Sequence, residues 1–271
     1  MMKSTACRVV VLVALMSLSA CAGSSTRSMD ITIAGSTALL PLVKQAALDY
    51  EGAHLDARIS VSGGGSGVGI TQAAEKGVDI GNSDISAPGE PSLVDHRVAV
   101  VMFAVIVNGA AGVRNLSRAQ IRDVFTGKIT NWKDVGGVDQ RISVINRPRS
   151  SGTRAVFVQE ILGGVQPLAA GMTEDSSGTV AVQVAQTPGT ASYIATSYVR
   201  DPAIAKISID GVEPTTPNVL SGTYRFWSYE HMFTMGKPRK NVAAFIDYVA
   251  NDTAALEALG FIPVSKMKGV R

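Results

Sequence analysis

Stretches with a strand-like pattern alternate with stretches of helical period in the first third of the chain. Polar and apolar residues alternate over 30–34, as in a half-buried strand, whereas apolar residues recur at helical spacing over 39–50. The same order returns in the predicted strand 57–61, the helix from about 68 to 76 and the strand 78–81. Repeated strand–helix units favour an α/β fold with parallel strands, in which ligands bind at the carboxyl ends of the strands.

The middle of the chain contains an unbroken apolar run at 99–107. It is expected to be one of two further strands, and such a run is typical of a strand that is buried on both faces or crosses between two lobes. A helix is predicted over 116–125, with Ser117 as its N-cap. The remaining segments are predicted as strands over 141–145, 191–196 and 224–235, as helices over 179–186, 241–250 and 253–259, and as a loop over 214–222.

Three segments rich in glycine and hydroxyl groups stand between a predicted strand and a predicted helix: 35–38, 65–67 and 151–153. The third leads into 155–158, which is predicted as the first turn of a helix. Such junctions leave backbone N–H groups available to an anion, which the helix dipole also favours. Arg147 stands shortly before the third segment, close enough for its planar guanidinium to reach the same place. One such junction is ordinary helix capping, but three of them together with an arginine predict a site for one small oxyanion.

Asp84 follows the third predicted strand and is unexpected in an anion site, because a carboxylate repels an anion. A carboxylate can accept a hydrogen bond only from a ligand that still carries a proton. Phosphate near neutral pH carries one and sulfate does not, and a buried acceptor left unpaired costs about 1–3 kcal/mol, or more when it is charged. Asp84 therefore predicts a preference for phosphate over sulfate. The alternative is that Asp84 only caps the turn before Pro88.

Composition and charge narrow the classes of function. The chain has 271 residues, 46% of them hydrophobic, which is enough for one large domain or two lobes. The formal net charge is +3 and no long basic run occurs, so a nucleic-acid-binding surface is not indicated. The only cysteines, Cys7 and Cys21, precede the first predicted strand, which excludes a disulfide framework or a cysteine metal site from the folded part. The histidines have no catalytic or metal-binding spacing, and no nucleotide-binding or hydrolase motif is present, so neither an enzyme nor a cofactor is predicted.

The N-terminus has the features of an export signal. Lys3 and Arg8 precede the apolar run 9–16, which is too short to span a membrane. Leu18-Ser19-Ala20-Cys21 resembles the bacterial lipobox, in which the cysteine is acylated and becomes the first residue of the mature protein. We therefore predict a signal peptide at 1–20, lipidation at Cys21, a flexible tether at 21–29 and a working part outside the cytoplasm. The alternative is a plain signal peptide with an incidental cysteine.

Beyond these separate signals, five segments appear in the order seen in the phosphate-binding proteins of bacterial ABC uptake systems, and together they cover nearly the whole mature chain. They are Ile33-Ala34-Gly35-Ser36-Thr37-Ala38-Leu39, Gly65-Ser66-Gly67-Val68, Asp79-Ile80-Gly81-Asn82-Ser83-Asp84, Phe125-Thr126-Gly127-Lys128-Ile129-Thr130-Asn131-Trp132 and 147–154. The chain is therefore similar to that family. The resemblance implies a receptor that binds inorganic phosphate and delivers it to an ABC transporter permease, without catalysis. It also implies a monomer, attached to a bacterial membrane by its lipid and facing the cell surface or the periplasm.

The resemblance also implies the ligand residues, transferred by position. The predicted phosphate site consists of Ser36, Thr37, Ala38 (through its backbone), Ser66, Asp84, Arg147, Ser151, Gly152 and Thr153. Asp84 accepts the proton of the ligand in this scheme. Arg149 stands where relatives often have an acidic residue that orients the arginine, so Arg147 is expected to be held differently or the local charge to be higher.

The fold implied by the resemblance is the type II periplasmic-binding-protein fold, an α/β fold with two lobes, mixed and mainly parallel sheets, and a hinge of crossover strands. Lobe 1 is predicted to comprise 30–102 and 227–271, and lobe 2 to comprise 103–226. Two alternatives stay open at this point. One is a receptor for another tetrahedral oxyanion, sulfate or molybdate, and the other is a surface adhesin or signalling protein with the same fold.

Overall fold

The computed structural model describes residues 29–168 and 171–267. The predicted signal peptide, Cys21 and the tether up to residue 28 lie outside the described residues, and Met29 is the first residue of a strand. The strands are β1 (Met29–Gly35), β2 (Ala57–Gly64), β3 (Ile80–Ser83), β4 (Leu93–Asn108), β5 (Asn115–Leu116), β6 (Ser143–Asn146), β7 (Met172–Thr173), β8 (Thr190–Ala195), β9 (Ile204–Lys206), β10 (Ser208–Ile209) and β11 (Trp227–Met235). The α-helices are α1 (Leu40–Ala53), α2 (Ser66–Ala74), α3 (Arg118–Phe125), α4 (Gly152–Glu160), α5 (Ser177–Gln186), α6 (Thr216–Leu220), α7 (Lys240–Asn251) and α8 (Thr253–Ala258).

The strands form a mixed sheet, which confirms the predicted α/β class. Its order is β2-β1-β3-β11-β4-β8-β6-β7, with β9 also paired to β4, and β10 pairs with β5 separately. β1 is parallel to both β2 and β3, and β6 is parallel to β7 and β8. The antiparallel pairs are those of β4 and β11. These two strands therefore join two groups of parallel strands.

The apolar run at 99–107 belongs to one long strand, β4, and the expectation of two separate strands here was wrong. β4 pairs with β11 from Leu93 to Met102 and with β8 from Phe103 onward, so successive stretches of one strand lie in two parts of the sheet. Its residues 98–108 are all buried. Pairing along its whole length keeps the strand extended, and the burial of residues 98–108 explains the unbroken apolar sequence.

Helix ends differ from the predictions where hydroxyl groups cap them. α4 begins at Gly152, before the predicted turn at 155–158, because the Ser151 hydroxyl accepts a hydrogen bond from the Arg154 N–H. The predicted loop at 214–222 contains α6, which Thr215 caps in the same way. The predicted cap of α3 is confirmed, since Ser117 forms a reciprocal capping box with Gln120. No helix in 29–168 or 171–267 has the length and apolar character needed to cross a membrane.

Candidate functional site

The first wall of the candidate site lies at the carboxyl ends of β1 and β3. These strands are parallel neighbours, with Gly35 opposite Asn82, so the residues that follow them, Ser36 and Asp84, lie at the same edge. The Ser36 hydroxyl donates a hydrogen bond to Oδ1 of Asp84. The Asp84 N–H donates to the hydroxyl of Ser66, the first residue of α2, at 2.9 Å. Parallel pairing thus brings together the ends of three segments that are distant in sequence.

The second wall comes from the loop after β6 and the first turn of α4. Thr153 donates from its hydroxyl to Oδ2 of Asp84 at 2.8 Å, and the Gly67 N–H donates to the Ser150 carbonyl at 2.9 Å. Gly152 stands so close to the first wall that a Cβ there would lie 2.2 Å from the Ser66 hydroxyl oxygen. The absence of a side chain at Gly152 therefore allows the two walls to meet.

Arg147 is buried, with 1% of its surface exposed, and all three guanidinium nitrogens are engaged. Nε donates to the Glu174 carbonyl at 2.9 Å and Nη1 donates to the Ser177 hydroxyl at 3.2 Å. Nη2 donates to the Thr37 hydroxyl at 3.1 Å and to the Asp175 carbonyl at 3.0 Å. Backbone carbonyls and hydroxyls thus orient Arg147 in place of the acidic side chain expected from the resemblance. The exposed Arg149 takes no part in these hydrogen bonds.

Burial and the nearby negative charge shift the pKa of Arg147 in opposite directions. Burial lowers the pKa of its guanidinium, and the nearby carboxylate of Asp84 partly offsets that effect. The group is a fixed positive charge at neutral pH, because the ordinary pKa of an arginine lies far above neutral. The buried guanidinium of Arg147, the buried carboxylate of Asp84 and several hydroxyl groups therefore lie in the same buried site.

Thr37 links the two walls a second time. Its hydroxyl accepts hydrogen bonds from Arg147 and from the Ser177 N–H, and its carbonyl accepts one from the Tyr198 hydroxyl at 2.7 Å. Ser177 and Tyr198 were not predicted from the sequence. The signal for Ser177 was present, because Ser176-Ser177-Gly178-Thr179 has the composition of the three recognised junctions and also opens a helix, α5. Tyr198 carried no such signal.

The structure brings the predicted site residues together, although a polar group of two of them is already hydrogen-bonded to a residue two or three positions away. The Ala38 N–H donates to the Ser36 hydroxyl at 3.0 Å, and the Ser151 hydroxyl is the cap of α4. The N–H groups of Gly152 and Thr153, at the first two positions of α4, have no acceptor within that helix. The polar members are all nearly inaccessible to solvent: Ser36, Thr37, Ser66, Asp84, Arg147, Ser151 and Thr153.

This combination suits a small anion that carries a proton. Hydroxyls, helix N–H groups and one arginine can surround anionic oxygens, while the carboxylate can accept a hydrogen bond from a protonated one. Within the described ranges no group of three or more histidine, cysteine, aspartate or glutamate residues is placed to hold a metal ion.

Comparison with known proteins agrees with this description. The model of the PBP superfamily domain matches residues 20–253. The chain is 45% identical over 257 residues to the phosphate-binding protein PstS of Bacillus subtilis, covering 92% of this chain and 85% of that one. A similar solved structure is that of a Clostridium perfringens substrate-binding protein, assigned to a phosphate ABC transporter and crystallised with bound phosphate. Its TM-score is 0.82 at 30% sequence identity, and the match covers 87% of this chain and 99% of that one. An ABC-type phosphate transport receptor from Vibrio cholerae is similar with a TM-score of 0.69 and 28% identity, over 86% and 99% of the two chains.

The fold and the site define an α/β binding protein whose parallel strands and helix N-termini enclose a small anion site. The chain belongs to the PBP superfamily and, within it, to the family of the PstS phosphate-binding proteins.

Proposed function

We propose that this chain is the extracytoplasmic substrate-binding receptor of an ABC transporter and that its ligand is inorganic phosphate. The main support for the proposal is the environment of Asp84, a buried carboxylate that lies in the same site as hydroxyl donors and a buried arginine. Such an acceptor is satisfied by a P–OH group and opposes a fully ionised oxyanion. The Bacillus subtilis and Clostridium perfringens relatives are both named for phosphate.

Each predicted site residue has a proposed role toward the ligand. Arg147 neutralises charge, Asp84 accepts the ligand's proton, and the hydroxyls of Ser36 and Thr153 turn from Asp84 to the phosphate oxygens. Ser151 holds the start of α4 so that its first N–H groups face the ligand. The remaining donors are the hydroxyls of Thr37 and Ser66 and the backbone N–H groups of Ala38, Gly152 and Thr153.

We further propose that the chain works as two lobes, 30–102 with 227–271 and 103–226, that close on the ligand. The hydrogen bonds from Arg147 and Tyr198 to Thr37 and from Thr153 to Asp84 cross this division. They support the interpretation that the described conformation is closed. Phosphate favours closure because it contacts both lobes at once only in that state.

The receptor is not an enzyme: it presents its ligand to a membrane permease, and the transporter performs the energy-driven step. We propose that it acts as a monomer, without nucleic acid, and that two or more acyl chains at Cys21 hold it on the membrane. Replacing Cys21 with serine is expected to abolish incorporation of labelled fatty acid and to release the protein into the soluble fraction. The same change at Cys7 is the matched control. Full labelling of the Cys21→Ser variant would refute the anchor.

The test of the proposed function is calorimetric titration of residues 29–271 with phosphate and then with sulfate, after unfolding and refolding to remove carried-over ligand. We expect one-to-one binding of phosphate and no heat with sulfate. Binding of sulfate or molybdate would keep the class of receptor and change the ligand. No binding of any oxyanion would support the adhesin or signalling alternative.

A further inference from the structure

Glu230 is a buried acidic residue outside the set of predicted ligand residues. It lies in β11, and none of its surface is exposed. Neither of its carboxyl oxygens has a hydrogen-bond donor among residues 29–168 and 171–267. A buried charge without donors is strongly unfavourable, so this side chain requires an explanation.

The register of β11 places Glu230 beside Asp84. His231 pairs with Ser83, the last residue of β3, and the two strands are antiparallel. Glu230, the residue before His231, therefore lies opposite Asp84, the residue after Ser83. The register on the other side of β11 shifts between Glu230 and His231, which is an irregularity of the kind that redirects a side chain. The Ser228 hydroxyl donates to the Asp84 carbonyl at 2.6 Å and fixes the same strand to the backbone of Asp84.

Two carboxyl groups can form a hydrogen bond only if one of them carries a proton, because two carboxylates are both acceptors. In this structure both Asp84 oxygens accept hydrogen bonds, from the hydroxyls of Ser36 and Thr153. Glu230 has no such donor, so the proton belongs on Glu230. Burial, followed by the charge and the hydrogen bond of Asp84, raises the pKa of Glu230 well above its usual range.

The elements around Glu230 bring no cation that would pair with it. β3, α2 and the facing stretch of β4, 98–102, contain no ionisable side chain. Burial raises the pKa of the nearby Tyr198 to about 12, so that phenol is neutral. The Arg147 guanidinium is bound to carbonyls and hydroxyls, and the adjacent His231 is bound to Asp95 at 2.7 Å.

From this geometry we infer that Glu230 is a positioning residue of the phosphate site, which stays protonated and donates a hydrogen bond to the carboxylate of Asp84. The inference rests on the proposed function. Its consequence is that the Asp84 carboxylate is fixed in place as an acceptor, because the Glu230 O–H occupies one of its lone-pair sites. Without this donor the Asp84 side chain is held less firmly and opposes an ionised oxyanion less effectively, so part of the selectivity against sulfate is lost.

The test compares the affinities of the full-length chain for phosphate and for sulfate at neutral pH. Glu230→Leu removes the donor, Glu230→Gln retains an N–H donor, and Met232→Leu is a matched packing control in the same strand. We expect Glu230→Leu to lower the ratio of the phosphate affinity to the sulfate affinity about tenfold, the effect of losing one hydrogen bond to a charged group. Glu230→Gln and Met232→Leu are expected to keep the wild-type ratio. A wild-type ratio in Glu230→Leu, or an equal loss in Glu230→Gln, would overturn the inference.

A second measurement needs neither ligand binding nor a folded leucine variant. In wild-type protein labelled with ¹³C at the glutamate carboxyl carbons, one resonance is expected to remain at the protonated position at neutral pH. It should be absent from Glu230→Gln. Complete ionisation of all glutamates at neutral pH would refute the inference, whatever the protein binds. A wild-type protein that keeps this protonated glutamate and binds no phosphate would instead contradict the proposed function.

Discussion

Arg147 donates a hydrogen bond from Nη2 to the hydroxyl of Thr37 at 3.1 Å, although the two residues are 110 positions apart in sequence. Thr37 follows β1, and Arg147 follows β6. The bond therefore joins the ends of strands from the two parallel groups, and it does so inside the candidate site. In the proposed two-lobe mechanism, interactions of this kind connect ligand binding to closure.

Arg147→Ala is expected to weaken phosphate binding about 100-fold or more. Truncating one member of a buried, hydrogen-bonded charged cluster costs about 2–5 kcal/mol. Calorimetric titration measures the loss, and circular dichroism checks that the fold is retained. Arg149→Ala removes an equal charge from an exposed residue nearby and should leave the affinity within about twofold of the wild type. Undiminished affinity in Arg147→Ala would remove Arg147 from the site.

Asp84→Asn is expected to reduce the preference for phosphate over sulfate by about tenfold or more, because the amide can donate to an ionised oxygen that the carboxylate rejects. The measurement is the ratio of the two affinities at neutral pH. Asp175→Asn is a suitable control, since it removes the same charge from an exposed side chain near Arg147, and its residue hydrogen-bonds Arg147 through the carbonyl, which the change leaves in place. An unchanged ratio in Asp84→Asn would show that the proposed role of Asp84 is wrong.

Gly152→Ala is expected to oppose closure. The added Cβ would lie 2.2 Å from the Ser66 hydroxyl oxygen and 2.9 Å from Asp84 Cβ, across the two walls of the site. Overpacking of this kind costs about 1–3 kcal/mol, which corresponds to a phosphate affinity about five- to 150-fold weaker. Small-angle scattering should also show less compaction on adding phosphate. Gly52→Ala, at a position with open space around its Cβ, is the control, and equal behaviour of the two variants would contradict the closed interpretation.

Tyr198→Phe removes the hydroxyl that donates to the Thr37 carbonyl. One neutral hydrogen bond contributes about 0.5–1.5 kcal/mol, so we expect phosphate affinity to fall about two- to tenfold through loss of a contact made in the closed state. Tyr224→Phe removes a buried hydroxyl that bonds the Phe103 carbonyl, within one proposed lobe. That control should lower the free energy of unfolding without changing phosphate affinity. A larger affinity loss in Tyr224→Phe than in Tyr198→Phe would argue against the division into lobes.

The local sequence was sufficient to predict those elements whose structure depends on local chemistry. The alternating residues before Gly35, the capping box at Ser117 and the hydroxyl-rich junctions predict elements through backbone preferences and short-range hydrogen bonds. The arrangement of Ser36, Asp84 and Ser66 could also be anticipated, because parallel βα units direct the carboxyl ends of their strands to one edge.

Tertiary structure decided the features that depend on distant partners. The length of β4 follows from pairing with β11 and β8, and the orientation of Arg147 follows from carbonyls and a hydroxyl at positions 174–177. The contact of Tyr198 with Thr37 and the placement of Glu230 beside Asp84 have no local signature, because neither residue type nor spacing encodes a register between strands. The sequence by itself determined the kinds of groups available to the ligand, since side-chain chemistry is local. Only the tertiary structure decided which groups are buried together, and burial controls the strength of their charges and hydrogen bonds.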